Sequence, residues 1–428
     1  MHKISRRALL GGVLGAAGLV GLSACAGVGG RSGTASTVRY AMWGNNVRQQ
    51  NYQQAFTEMQ QAVQGLTIAL EFAEYTAFQE RMTTQMAAGT VADVFWVPSP
   101  NVMTYYANDL YRPLSQIENL DLSDYPAEDL TGFELDGQLN TLPFAIFVPV
   151  VRYNATFAEQ DGVEPPADWT WQTLAEFAKD YSANNSQGRK ALANSADTDL
   201  GFEYWLRQRG EQLWTQDGKV GFTQDGLASW LDYWEDLRKA GATTTLSEQD
   251  GVTADWPTIG DRVLMVFGNS NHIIDDAPQF PDYRFALRHP PVAADATADF
   301  RYLYYPRMAI SQNAADETLE LAGQVLNYCV NRVEMLKTVG LTMGAPTNPR
   351  VAGEMEQFAS PDEKETLRVV AEDRAAPRAP RFEAPAGSGS WRTTMTRTIE
   401  DIALGNTPVP AAAGAMITEI NDAIARAQ

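Results

Sequence analysis

The chain has 428 residues, 44% hydrophobic and 20% charged, a balance that can fill the cores of two or three ordinary domains. Its 53 acidic against 33 basic side chains leave a formal net charge of −20, so the surface repels nucleic acid and anionic lipid headgroups. With only two cysteines the chain has no disulfide framework.

At the N-terminus, Lys3, Arg6 and Arg7 precede an unbroken apolar and glycine run from Leu9 to Leu22. This is the layout of an export signal, and the run is short and glycine-rich for a membrane span. Ser5-Arg6-Arg7-Ala8-Leu9-Leu10 resembles a twin-arginine signal. Leu22-Ser23-Ala24-Cys25 resembles a bacterial lipobox, which implies cleavage before Cys25 and acylation of its sulfur. Residues 1–24 are therefore expected to be a lipoprotein signal peptide and 25–37 a flexible tether rich in glycine and serine. Lipidated Cys25 is expected to be the membrane anchor. Cys329 then has no partner, and it falls on the stripe Leu319, Ala322, Leu326, Cys329, Val333, Leu336, where it reads as a small buried apolar residue.

Beyond the tether, short apolar runs alternate with helical patterns. "TVRYAMWG" reads as a strand ending at Trp43-Gly44, followed by a polar helix from about Arg48 to Val63. "LTIALEF" is a second strand, a helix runs from about Thr76 to Ala88, and "ADVFWV" is a third strand. This rhythm predicts right-handed crossovers and a largely parallel sheet with ligands beyond the carboxyl ends of the strands. Those ends carry Trp43, Asn45, Tyr75 and Asn101.

A second region follows "LPFAIFVPVVRYN". Thr170 can cap a helix with Trp171, Leu174, Ala178 and Tyr181 on one face. Thr223 can cap another with Leu227, Trp230, Leu231, Trp234 and Leu237 inward and Gly241 past its end. "RVLMVFG" is a buried strand leading into the polar loop Asn269-Ser270-Asn271-His272.

No phosphate-binding glycine loop, HExxH, EF-hand loop or GxSxG elbow is present. After signal removal the histidines would be His272 and His289, too few for a common zinc site, and no cofactor is expected. Aromatic residues are abundant instead. Trp43, Tyr75, Tyr304, Tyr305 and Trp391 sit at strand ends or in loops, with amides at Asn45, Asn101, Asn269 and Asn271. Rings that stack on C–H faces together with planar polar groups that meet hydroxyls suit a carbohydrate.

Five blocks, in order, resemble the extracellular solute-binding proteins of family 1, the sugar-binding lipoproteins of ABC importers. They are "MAAGTVADVFWV" (86–97), the long segment from Leu135 to Ala178, "GDRVLMVFGNSN" (260–271), "MAISQNAADETLELAGQVLNYCVN" (308–331) and "IEDIALGNTPVPAAAGAMITEIN" (399–421). The resemblance implies an α/β, two-lobed periplasmic-binding-protein-like (type II) fold with discontinuous lobes joined by hinge strands. The expected N-lobe is 38–148 plus about 290–330, and the expected C-lobe 149–289 plus about 331–428. Hinges are expected near Phe147 to Val151, 285–300 and 328–335. The ligand would be a carbohydrate held between the lobes by Trp43, Asn45, Tyr75, Asn101, Trp205, Asn269, Asn271, Tyr304, Arg307 and Trp391. Asp93, Asn154, Asp197 and Asp199 are weaker candidates.

The implied partners are the permease subunits of an ABC importer and, through Cys25, the membrane. The protein is expected to act as an extracytoplasmic monomer without catalysis. Where the family has Gly-Gly or Gly-Trp, this chain has Tyr304-Tyr305-Pro306-Arg307, and Arg307 would favour an acidic or heavily hydroxylated ligand. An anchored polysaccharide-active enzyme and a receptor for a non-sugar solute stay open as alternatives.

Overall fold

Val38, Tyr40, Ala41 and Met42 on the strand Thr37–Trp43 are all buried, as in a sheet covered on both faces by helices. The computed structural model describes residues 37–249 and 262–427. The expected signal peptide, Cys25 and the tether up to residue 36 lie outside the described residues. In the first sheet the strand order is Thr67–Ala73, Thr37–Trp43, Val94–Val97, Arg307–Ile310 and Leu142–Pro143. The first three are parallel and are linked by the helices Asn46–Ala62 and Tyr75–Ala88. Arg307–Ile310 runs antiparallel to both its neighbours, so Leu142–Pro143 points the same way as the first three. Four of the five strands thus share one direction, as expected, and the one reversed strand comes from a distant part of the chain.

The second sheet orders Phe285–Arg288, Pro149–Asn154, Val263–Asn269 and Lys190–Leu192. Its helices form where the capping signals place them. The Thr170 hydroxyl accepts from Thr173 N at 3.2 Å and starts Trp171–Asn184; the Thr223 hydroxyl accepts from Gly226 N at 3.0 Å and starts Gln224–Lys239. Their apolar stripes are buried as read from the sequence. Each large aromatic side chain so buried contributes about 1.5–3 kcal/mol. Among the described residues no helix is long and apolar enough to cross a membrane.

Each sheet has its own core, and the lobes are joined by straps. The chain leaves the first sheet at Pro143 and enters the second at Pro149. It leaves the second at Arg288 and re-enters the first at Arg307. Phe147 and Tyr304, one on each strap, exchange backbone hydrogen bonds of 3.0 and 2.9 Å and stack their rings at 4.7 Å. A third strap, Ala345–Pro346, pairs with Ala145–Ile146. At Gly344 φ is +120°, and an added Cβ would lie 2.2 Å from the Ile146 carbonyl oxygen, so only glycine fits this close approach.

Phe300 and Tyr302 are buried in the second core, although they fall in a segment the sequence assigns to the first lobe. Met335 and Val339 show the reverse. Helical and strand stripes reveal which residues are inward, and leave open which sheet they meet. Cys329 is a free, buried thiol, raised by burial to about 12.

Candidate functional site

The carboxyl ends of the first-lobe strands face the second lobe. Trp43, the last residue of its strand, sets its ring against Tyr75 at 5.4 Å and Trp96 at 5.0 Å. Gly44 follows, and Asn45 caps the next helix by accepting from Arg48 N at 2.8 Å. Tyr75 opens the helix Tyr75–Ala88 and keeps 37% of its surface exposed. Its hydroxyl lies in electrostatic reach of Tyr304, Asp199, Arg392 and Tyr105. Asn101 accepts from Gln79 Nε2 at 2.9 Å at the end of the turn Ser99–Asn101. That turn packs against Ser388–Ser390 of the second lobe, immediately before Trp391.

Tyr304 occupies the strap. Its hydroxyl meets Ser99 and faces Asp199, and burial lifts its pKa to about 12. The Arg381 guanidinium lies 4.7 Å from the Tyr304 ring and is gripped by both Glu203 oxygens, at 2.8 and 3.0 Å. Asp199 opens the helix Asp199–Arg207. Asp197, just before it, faces Arg392 and Asp199, and burial raises its pKa. Tyr75, Ser99, Tyr304, Asp199, Asp197 and Arg392 therefore gather at one place from both lobes and a strap.

A second polar group lies near Asn45. Arg48 donates to Asp275 at 2.8 Å and to the Thr342 carbonyl at 3.1 Å. Asn271 donates to the same carbonyl at 2.6 Å. Asn269 Nδ2 lies 3.3 Å from His272 Nε2, and an amide NH2 can only donate, so this imidazole nitrogen accepts. Burial, with Arg152 and Arg48 adding to it, holds His272 well below the ordinary imidazole range.

Other candidates sit elsewhere. Trp205 is 5% exposed and packed edge-on against Trp171 and Trp230 inside the second core, with Arg209 across its remaining face. Trp391 is 6% exposed and stacked on Phe202. Arg307 is turned to Glu383 and lies over the Phe133 ring, away from the role of an unpaired cation. Asp93 accepts from Arg39 N, and Asn154 caps a helix through Phe157 N. Among the described residues no three His, Cys, Asp or Glu are placed to hold a metal ion.

Sequence reasoning passed over Arg48, Arg381, Glu203, Arg392 and Asp275. One signal was available for Arg48: a cation in the first turn of a helix opposes the macrodipole and calls for a local acidic partner.

A family model described as bacterial extracellular solute-binding protein matches residues 52–366. A curated binding protein of Brucella abortus (strain 2308) is 25% identical over 193 residues, 44% of this chain and 46% of that protein, so the match spans about half the relative's length. An oligogalacturonide-binding protein of Yersinia enterocolitica, solved with saturated digalacturonic acid, superposes with a TM-score of 0.80 at 16% identity over 91% of this chain and 99% of its own. The GacH receptor of Streptomyces glaucescens, solved without ligand and with acarbose, superposes with a TM-score of 0.73 at 14% identity over 92% and 99%.

Proposed function

Because the chain belongs to the bacterial extracellular solute-binding proteins, we propose that it is the carbohydrate receptor of an ABC importer. It grips its ligand between two lobes and hands it to a membrane permease. The observation that carries this reading is the gathering of Trp43, Tyr75 and Ser99 from the first lobe with Asp199 and Arg392 from the second and Tyr304 from a strap. Aromatic edges beside hydroxyl, carboxylate and guanidinium groups are what a sugar's C–H faces and hydroxyls require.

Binding favours closure only through contacts made in the closed form, so groups contributed by both lobes are the effective ones. Driving a lobe pair from 1:99 to 99:1 takes about 5.5 kcal/mol of differential affinity. A few charge-assisted hydrogen bonds of about 1.5–3 kcal/mol each suffice. The receptor acts stoichiometrically and changes no bonds. Export, cleavage before Cys25 and lipidation there keep it at the outer face of the membrane.

Calorimetric titration with a panel of mono- and oligosaccharides tests this, together with incubation of a labelled glycan. Saturable one-to-one binding with the glycan left intact is the expected result. Release of shorter products would identify an enzyme, and heat only with peptides or polyamines would identify a non-sugar receptor.

A further inference from the structure

We propose that the cleft selects sugars without negative charge, because the guanidinium groups bordering it are matched by carboxylates of this chain. The proposal rests on the carbohydrate reading above and narrows it.

The guanidinium groups in reach of Tyr75 and Tyr304 are Arg392 and Arg381. Arg381 is held by Glu203 in a two-pronged pair, with Glu383 also in reach. Arg392 faces Asp197, which in turn feels Asp199. Arg301 within the strap is engaged by Asp373, and Arg307 at its end by Glu383. At the other polar group Arg48 is matched by Asp275 and further occupied by Thr342. His272 beside it is held in the neutral form, where it accepts from Asn269.

A uronate entering this site would lose its hydration and meet either a guanidinium that already has a carboxylate or a surplus acidic group, Asp197 or Asp199. Arginine recognises a carboxylate best by planar, bidentate contact, which a guanidinium already held by a carboxylate offers less readily. A buried charge without that contact is strongly disfavoured. Hydroxyl groups have no such requirement: each carboxylate and guanidinium here keeps further lone pairs or N–H groups that a neutral sugar can engage. The first named residue of this selectivity is Asp199, which faces both tyrosines and stands at the second-lobe side of the cleft.

The test is calorimetry on the exported portion of the chain with neutral oligosaccharides and with oligogalacturonides of matched length. The neutral series is expected to contain a ligand that binds about a hundredfold or more tighter than any uronate. Uronate binding equal to or tighter than the best neutral sugar would overturn the inference and leave the carbohydrate reading standing. Silence across the whole panel would overturn the carbohydrate reading itself. Asp199→Asn, checked for an unchanged thermal midpoint, is expected to improve galacturonate binding about tenfold by removing one repelling charge. No gain in that folded variant would also count against the inference.

Discussion

Arg48, in the first turn of Asn46–Ala62, reaches across from the first lobe to pair with Asp275 of the second at 2.8 Å. The Arg48 helix packs through Tyr52, Phe56 and Met59 into the first core, and the Asp275 helix packs through Ile273 against Val263, Val266 and Leu287 of the second sheet. Both side chains are largely buried. Burial outweighs the pull of Arg48 and raises the Asp275 pKa. In the clamp motion proposed above this pair would serve as a clasp: opening would return both charges to water, and closing would have to bring them together.

Removing one partner leaves the other charge buried alone on closure. Arg48→Ala and Asp275→Asn are each expected to weaken ligand affinity by about ten- to a hundredfold, well within the about 3–5 kcal/mol cost of breaking a buried pair. The double variant should be no weaker than the worse single one, since the two act as a unit. Titration calorimetry on the three variants checks this. Additive losses would mean the residues act separately and that no clasp exists.

Gly44 offers an independent route to the same clasp. A Cβ there would sit 2.7 Å from Arg48 Cδ, so the flexible arginine must give way. Gly44→Ala is expected to mimic Arg48→Ala in affinity. Gly344→Ala is different in kind: its Cβ would meet the Ile146 backbone at 2.2 Å, and the strap has no flexible atom to yield. It is expected to lower stability by about 1–3 kcal/mol or more, the cost typical of backbone strain, and with it the unfolding midpoint. Thermal denaturation beside calorimetry separates the two effects.

His272 gives a signed pH dependence. Its folded-state pKa is depressed, so between that value and about 6.5 the unfolded chain binds a proton that the folded chain refuses. The stability it lends is full above about pH 6.5 and is lost as the pH falls, by up to about 1.4 kcal/mol per unit. The raised carboxyls of Asp197 and Asp275 act in the opposite sense, so the comparison is with His272→Gln. Urea denaturation from about pH 7.5 to about 5 should show a shallower acid loss in the variant. Parallel slopes would mean that His272 takes up its proton equally in both states.

Local signals carried much of the fold. Thr170 and Thr223 cap where a short hydroxyl precedes an apolar stripe, and the strand Val263–Asn269 is a continuous apolar run. What escaped was long-range. The antiparallel partners at Leu142–Pro143 and Arg307–Ile310 lie far apart in the chain. In the candidate site, strand-end aromatics were legible because a ring without periodic company lacks a core explanation, as at Trp43 and Tyr75. Arg48, Arg381 and Glu203 were not, because charged residues on helices and loops ordinarily face water, and only the fold brings their partners to them.

Trp43 and Trp391 separate binding from packing. Trp391 is enclosed by Phe202, Trp214 and Phe222 at 5.8, 5.9 and 5.7 Å. Trp391→Ala leaves a cavity that those rings cannot fill, and a loss of about 3–5 kcal/mol is expected. Trp205→Ala should behave alike, since Trp171, Trp230 and Tyr233 surround it. Trp43 is only partly buried, at the strand end where Tyr75 meets the second lobe's charges. Trp43→Ala is expected to cost about tenfold or more in sugar affinity, as the loss of an aromatic anchor does, with a smaller fall in stability than Trp391→Ala. Chemical denaturation and calorimetry on the same three variants decide the matter. If Trp391→Ala keeps its stability and loses the sugar while Trp43→Ala binds normally, the cleft lies on the other side of Ser388–Ser390.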